Sequence, residues 1–271
     1  MAANLPSLPD VERLSTNIVR VLGGNPSKYT LQGSNTYILG AGPQRILLDT
    51  GQGFPAWKEN LSKALEQYHT SISLYNLIDP STTLDISDGQ KFSTAEGFEL
   101  TALHTPGHAA DHMCFLVTAS SDPSELGSIF TADNVLGHGT AVFEDLDAYT
   151  VKAYPGHGQV IDDAAGKIQE YLEHRRQREE EVLNLLRHGT TTAAAATAPT
   201  TGAQDATADS PPKEWGSMEL VKVIYQHYPE SLHVPAEGGV KQVLGKLLKE
   251  GRVVYNEQTS KWRIAGTRAT L

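Results

Sequence analysis

The chain has 271 residues, 39% of them hydrophobic, with 22 Lys and Arg against 32 Asp and Glu and a formal net charge of −10. That length and apolar content suit one medium domain plus a small one, and the acidic balance argues against broad nucleic-acid binding, which relies on Lys and Arg to neutralise phosphates. The lone Cys114 excludes an internal disulfide, no apolar run approaches the ~18 residues of a membrane span, and MAANLPSLPDVERLS has neither an apolar h-region nor an early basic cluster, so a cytoplasmic protein is expected.

In chain order, NIVRVLG, SNTYILG and RILLDTG read as strands, the last two joined by the Gly-Ala-Gly-Pro turn at Gly40 to Pro43. WKENLSKALEQYH then places Trp57, Leu61, Ala64, Leu65 and Tyr68 at helical spacing, with Pro55 near its start. ELTALHTPG, HMCFLVT and GSIFTAD are further short strands ending in turn residues. KIQEYLEHRRQREEEVLNLLRH is a long helix whose Ile168, Leu172, Val182 and Leu186 face inward, its charged middle forming a solvated face.

Gly189 to Pro212, rich in Ala and Thr and without a large apolar residue, reads as a linker. Beyond it, SMELVKVIYQHYP and GGVKQVLGKLLKEGRVVYNEQTSKWRI give two helices and a hairpin, a small winged-helix-like module. From Lys213 to the end there are nine Lys or Arg against six Glu. No stretch concentrates basic and aromatic residues, so packing or dimerisation is expected of it before nucleic-acid contact. The expected domains are residues 1–188, a linker at 189–213, and a winged-helix-like domain at 214–271.

Three loops at strand ends carry metal-competent side chains: HTPGHAADH, FTADN and YPGHG. In each, a Gly or a strand end lets the backbone turn so that an imidazole or carboxylate projects from the sheet edge. One such loop is weak evidence; three in this order are specific.

With these loops, the stretches VERLS, VLGGNP, TLQGSNTYILGAGPQRILLDTG, FTADNVLGHGTAVFEDL, YPGHGQVI and MELVKVIYQHYPESLH resemble the metallo-β-lactamase-fold hydrolases. The resemblance runs from near Val11 to the C-terminus. It points to the branch with a C-terminal winged helix, which includes fungal polyketide-releasing thioesterases and the mitochondrial β-lactamase-like endoribonuclease. It implies an α/β fold, the αββα metallo-β-lactamase sandwich, followed by the winged-helix-like domain. It also implies two zinc ions, with His108 on the first, Asp133 bridging both and His157 on the second. Asp49 would lie in the structural turn beneath the metals, and His138 is expected to be structural, with an outer-layer or substrate-pocket contact as its alternative. His104 and His112 are expected to be structural.

One departure outweighs the matches. The family carries T-H-x-H-x-D-H between the LLDTG turn and the HTPGH loop, and here that interval holds only His69. After LEQYHTSIS the chain passes directly into LYNLIDPSTTLDISDGQKF, leaving no room for a strand–helix–strand unit of about 30 residues. A second gap follows FEDLDAYT, where only VKA precedes YPGHG. The expected protein is therefore a hydrolase by descent with internal segments missing, holding at most one weakly bound zinc through His108, Asp133 and His157. Its implied activity is thioesterase release of an aromatic polyketide from the acyl carrier protein of a fungal polyketide synthase, with a small-molecule thioester as the other substrate, impaired by the lost motif. The alternatives are an endoribonuclease of the same fold and a non-catalytic remnant or mis-spliced product.

Overall fold

The computed structural model describes residues 5–69, 85–106, 109–136, 151–191 and 214–265. They fall into two compact units that divide between Leu172 and Glu173.

The first unit holds two sheets. Strands β1 (Val11–Arg13), β2 (Ile18–Leu22), β3 (Asn35–Leu39) and β4 (Ile46–Leu48) form an antiparallel sheet in sequence order. Helix α1 (Pro55–Gln67) follows. Strands β5 (Lys91–Ser93), β6 (Glu99–His104), β7 (Met113–Ala119), β8 (Ile129–Ala132) and β9 (Ala153–Pro155) form the second sheet, again in sequence order. All of its pairings are antiparallel except β8 with β9, which is parallel. Helix α2 (Ala164–His188) comes next.

Alternation along the strands builds the layers, because successive side chains leave a strand on opposite faces. Ile18, Tyr37 and Leu39 pack with Phe98, Leu100, Val117, Phe130 and Tyr154 in a core between the sheets. Their neighbours Val19, Val21 and Ile38 turn the other way and pack on Trp57, Leu61, Ala64 and Leu65 of α1. On the far side, Cys114, Ile129 and Ala153 pack on Ala164, Ile168 and Tyr171 of α2. Helix, sheet, sheet and helix thus lie in four layers, the αββα sandwich that the sequence implied. Two hydrogen bonds tie α1 to its sheet: Trp57 Nε1 donates to Thr36 Oγ1 at 2.9 Å, and Asn60 Nδ2 donates to the Leu22 carbonyl at 3.2 Å.

In the second unit, α3 (Ser217–Ile224) and α4 (His233–Lys249) lead into the antiparallel hairpin β10 (Val253–Asn256) and β11 (Lys261–Ile264). Leu220, Val221, Val240, Leu244, Leu247 and Val253 form one core with Val182, Leu183, Leu185 and Leu186 from the end of α2. The packing boundary therefore lies inside α2, upstream of the linker expected from Gly189. Residues 192–213 of that linker lie outside the described residues. Strands β1, β5 and β9 were not read from the sequence as strands; each is three residues long, too short to show alternation.

Candidate metal centre

The parallel pairing of β8 with β9 matches Ala132 to Pro155. Parallel neighbours end on the same side of a sheet, so the residues just beyond them, Asp133 and His157, emerge together. Asp133 Oδ1 stands 3.3 Å from His157 Nε2. They line a cavity of about 250 Å³ together with Ser34, Asp49, Gln52 and His112.

The imidazole is held from behind. His157 Nδ1 lies 3.3 Å from the Gly33 carbonyl, and Ser34 bridges His157 through the backbone. Asn25 fixes Ser34 in turn, its Oδ1 accepting from the Ser34 N–H at 2.8 Å and its Nδ2 donating to Ser34 Oγ at 3.0 Å. Asn35 clamps the other side of the loop. Its Nδ2 donates to the carbonyls of Pro155 and Gly158, both at 2.9 Å, and its N–H donates to the Gly156 carbonyl at 2.7 Å.

A ring whose Nδ1–H faces a carbonyl presents a lone pair at Nε2 when it is neutral. That lone pair faces a carboxylate oxygen. A cation placed between the two atoms would be bound by both. A backbone carbonyl behind the distal ring nitrogen is the usual way a metal-binding histidine is oriented. Donors sharing one tetrahedral zinc lie about 3.3–3.5 Å apart, given Zn–N and Zn–O bonds near 2.0–2.2 Å. The Asp133–His157 spacing fits two such positions.

Backbone strain gathers at the same place. Ala132, immediately before Asp133, has φ +42°, and Asp49 has φ +66°. Each conformation costs about 1–2 kcal/mol for a residue with a Cβ. Asp49 offsets part of that with its own side chain, whose Oδ1 accepts from the N–H groups of Thr50 at 2.6 Å and Gly51 at 2.7 Å. Gly156 allows the closest approach, because a Cβ there would lie 2.9 Å from Asp133 Oδ1.

Of the residues singled out from the sequence, Asp133, His157 and Asp49 meet at this cavity, whereas His108 and His138 lie outside the described residues. Among the described residues no three His, Cys, Asp or Glu side chains converge as a metal cage. His104 ends β6 and hydrogen-bonds the Ala110 carbonyl at 2.9 Å. His112 reaches the cavity wall, with its Nδ1 3.0 Å from Thr105 Oγ1, a position that the strand-start reading did not foresee. Gly33, Asn35 and Gly156 were also missed as positioning residues. The one available signal was a polar Asn-Thr pair opening a strand that ends in Tyr-Ile-Leu.

Residues 216–262 match the family described as the β-lactamase-associated winged helix domain. The chain is 34% identical to the atrochrysone carboxyl ACP thioesterase of Aspergillus chevalieri, covering 98% of this chain and 92% of that protein. It is 36% identical to the lactamase-like protein adaB of Aspergillus niger, covering 96% and 89%. The first alignment runs over 308 positions against a chain of 271 residues, so that relative carries sequence opposite gaps in this chain. In structure, the chain resembles a β-lactamase domain protein from Burkholderia ambifaria, with TM-score 0.66, 13% identity and coverage of 97% and 96%. It also resembles a metallo-β-lactamase family protein from Thermus thermophilus, with TM-score 0.58, 17% identity and coverage of 95% and 99%. The two-sheet sandwich, the winged-helix match and these near full-length identities show that the chain belongs to the metallo-β-lactamase family, alongside its fungal lactamase-like members.

Proposed function

We propose that this chain is a metallo-β-lactamase-type thioesterase by descent, built to release an aromatic polyketide from an acyl carrier protein, and that loss of the T-H-x-H-x-D-H segment leaves it with little turnover. The observation that carries this reading is the Asp133–His157 pair, held 3.3 Å apart with the imidazole backed by a carbonyl. The substrate class is taken from the near full-length relative that is an ACP thioesterase.

Asp133 and His157, with His108 as the resemblance implies, would hold one zinc as a two-histidine, one-carboxylate site with open positions. Such an ion would polarise the thioester carbonyl and lower the pKa of an attacking water. The Gly33 carbonyl keeps Nε2 of His157 turned toward the cavity, and the Asn35 clamp keeps its loop from drifting. The hydrolysis adds water across the C–S bond, giving a free acid and the carrier thiol. In the resemblance, the lost segment supplies further metal ligands and the proton-handling Asp, so the chain is expected to keep one-metal polarisation at most.

A non-catalytic remnant is the second reading, and the absence of T-H-x-H-x-D-H from the sequence favours it. An assay of zinc-supplemented protein on a carrier-bound polyketide thioester and on a short single-stranded RNA distinguishes the possibilities. The expected result is thioester cleavage near background, rising steeply in a chain given a motif-bearing segment between Ser73 and Tyr75. RNA cleavage without thioester cleavage would overturn the thioesterase reading, and family-level turnover by the chain as it stands would overturn the impairment.

A further inference from the structure

At the end of the first sheet opposite the Asp133–His157 cavity, two arginines flank one aromatic ring. The strand register fixes which end this is. The Leu22–Asn35 pair leads to Ser34 on the cavity wall, whereas the Ile18–Leu39 pair leads to the β1–β2 and β3–β4 turns. Those two turns are joined by the Gly40 N–H, which donates to the Asn17 carbonyl at 2.8 Å. Tyr68, just beyond α1, packs with the outer-face core that includes Val11 and Leu47. The guanidinium carbons of Arg13 and Arg45 each lie 5.9 Å from its ring centroid, within cation–π range. Arg13 comes from β1 and Arg45 from just before β4, opposite edges of the sheet, so they approach the ring from different sides.

Backbone carbonyls hold both side chains in place. Arg13 donates from Nε to the Ser15 carbonyl at 3.1 Å and from Nη2 to the Thr16 carbonyl at 2.9 Å. Arg45 donates from Nε to the Gly42 carbonyl at 3.0 Å, and from Nη2 to the carbonyls of Ala41 at 3.1 Å and Tyr68 at 3.3 Å. Among the described residues, Nη1 of each arginine makes no hydrogen bond and neither guanidinium forms an ion pair. The Tyr68 hydroxyl oxygen accepts from Gln67 Nε2 at 3.3 Å, which leaves its own O–H free to donate. Burial lowers the Arg45 pKa, the Arg13 charge lowers it further, and Glu96 opposes this only in part. Repulsion between two cations is relieved by an anion placed against both.

Three oriented donors and two unpaired cations therefore gather on the surface of a chain whose net charge is −10. A guanidinium with a free edge takes phosphate oxygens through short, charge-assisted hydrogen bonds. With the ring between them, the two arginines are better matched to one phosphate each than to a single shared one. We infer that Arg13, Arg45 and Tyr68 bind a diphosphate group, one phosphate on each guanidinium and the Tyr68 hydroxyl donating to an oxygen of the group. The site is separate from the candidate metal centre and stands whether or not the chain hydrolyses a thioester.

The test is calorimetric titration of the full chain, stripped of metal with a chelator and dialysed into low salt, with inorganic pyrophosphate, ADP and inorganic phosphate. Pyrophosphate is expected to bind at one site per chain, with inorganic phosphate about tenfold weaker because it engages one guanidinium. ADP binding as tightly as pyrophosphate or tighter assigns the site to a diphosphate ester, and ADP failing to bind assigns it to free pyrophosphate. Arg13→Gln, which disturbs hydrogen bonds only to its own turn, should weaken pyrophosphate about tenfold, as should Arg45→Lys, which keeps the charge and loses the fork. Circular dichroism checks folding, and Arg13→Gln alone decides if Arg45→Lys is unfolded. No saturable pyrophosphate binding, phosphate binding as tightly as pyrophosphate, or unchanged binding in folded Arg13→Gln would each overturn the inference.

Discussion

Gly156 marks the tightest contact in the candidate centre, since an added Cβ would lie 2.9 Å from Asp133 Oδ1 and 3.1 Å from the Ala132 carbonyl carbon. Backbone on one side and the site carboxylate on the other leave the methyl no soft neighbour. Gly156→Ala is expected to destabilise the chain by about 1–3 kcal/mol, the range for overpacking, measured as a drop in urea midpoint. Asn35 works at the same loop through hydrogen bonds. Replacing it with Ala strips donors from the Pro155 and Gly158 carbonyls and should cost about 2–3 kcal/mol, near the sum of two buried hydrogen bonds. Asp133 and His157 were singled out through the family resemblance of the FTADN and YPGHG loops. Asn35 and Gly156 could not be assigned such roles, because their work is defined by partners far away along the chain.

The helices carry their own tests. α4 contains Gly238, Gly239 and Gly245, around which a Cβ would meet nothing within 4 Å. Gly245→Ala should therefore stabilise the second unit by about 0.5–1 kcal/mol, the helix-propensity difference, read as a higher melting temperature. At the N-terminal end of that unit, Glu179 is opposed by partial burial, which raises its pKa, but Lys246 at 2.8 Å and Arg252 outweigh this and hold it below the ordinary carboxylate value. A depressed carboxylate contributes stability above its unfolded pKa, near 4.5, and loses it as pH falls through the lower folded value. Melting curves taken between neutral and about pH 3 should show this acid-side loss, and Glu179→Gln should flatten it. The helices were legible because apolar spacing is a long signal, Trp57 to Leu65 spanning most of α1. The division of α2 between two cores was not, since the Val182–Leu186 stretch would suit either partner until α3 and α4 are seen beside it.

At the scale of the whole molecule, the sandwich forms although a relative carries sequence opposite gaps in this chain. The reason lies in the strands that remain: β2 and β3 are buried on both faces and feed two cores at once. The first sheet ends, among the described residues, at the three-residue β4, where the motif-bearing strand of the family would be expected to continue. The layering was legible through the family resemblance carried by the HTPGH, TADN and PGHG loops. The arginine pair on Tyr68 was not, because Arg13, Arg45 and Tyr68 come from separate elements that no local pattern links.

The central claim is that this frame retains part of a metal centre and that Asp133 and His157 belong to it. Equilibrium dialysis of the full chain against micromolar zinc, followed by metal analysis, tests it most directly. At most one exchangeable zinc per chain is expected, falling to background in folded Asp133→Asn and His157→Ala variants. Two tightly retained zinc ions, or uptake that the two variants leave unchanged, would contradict it.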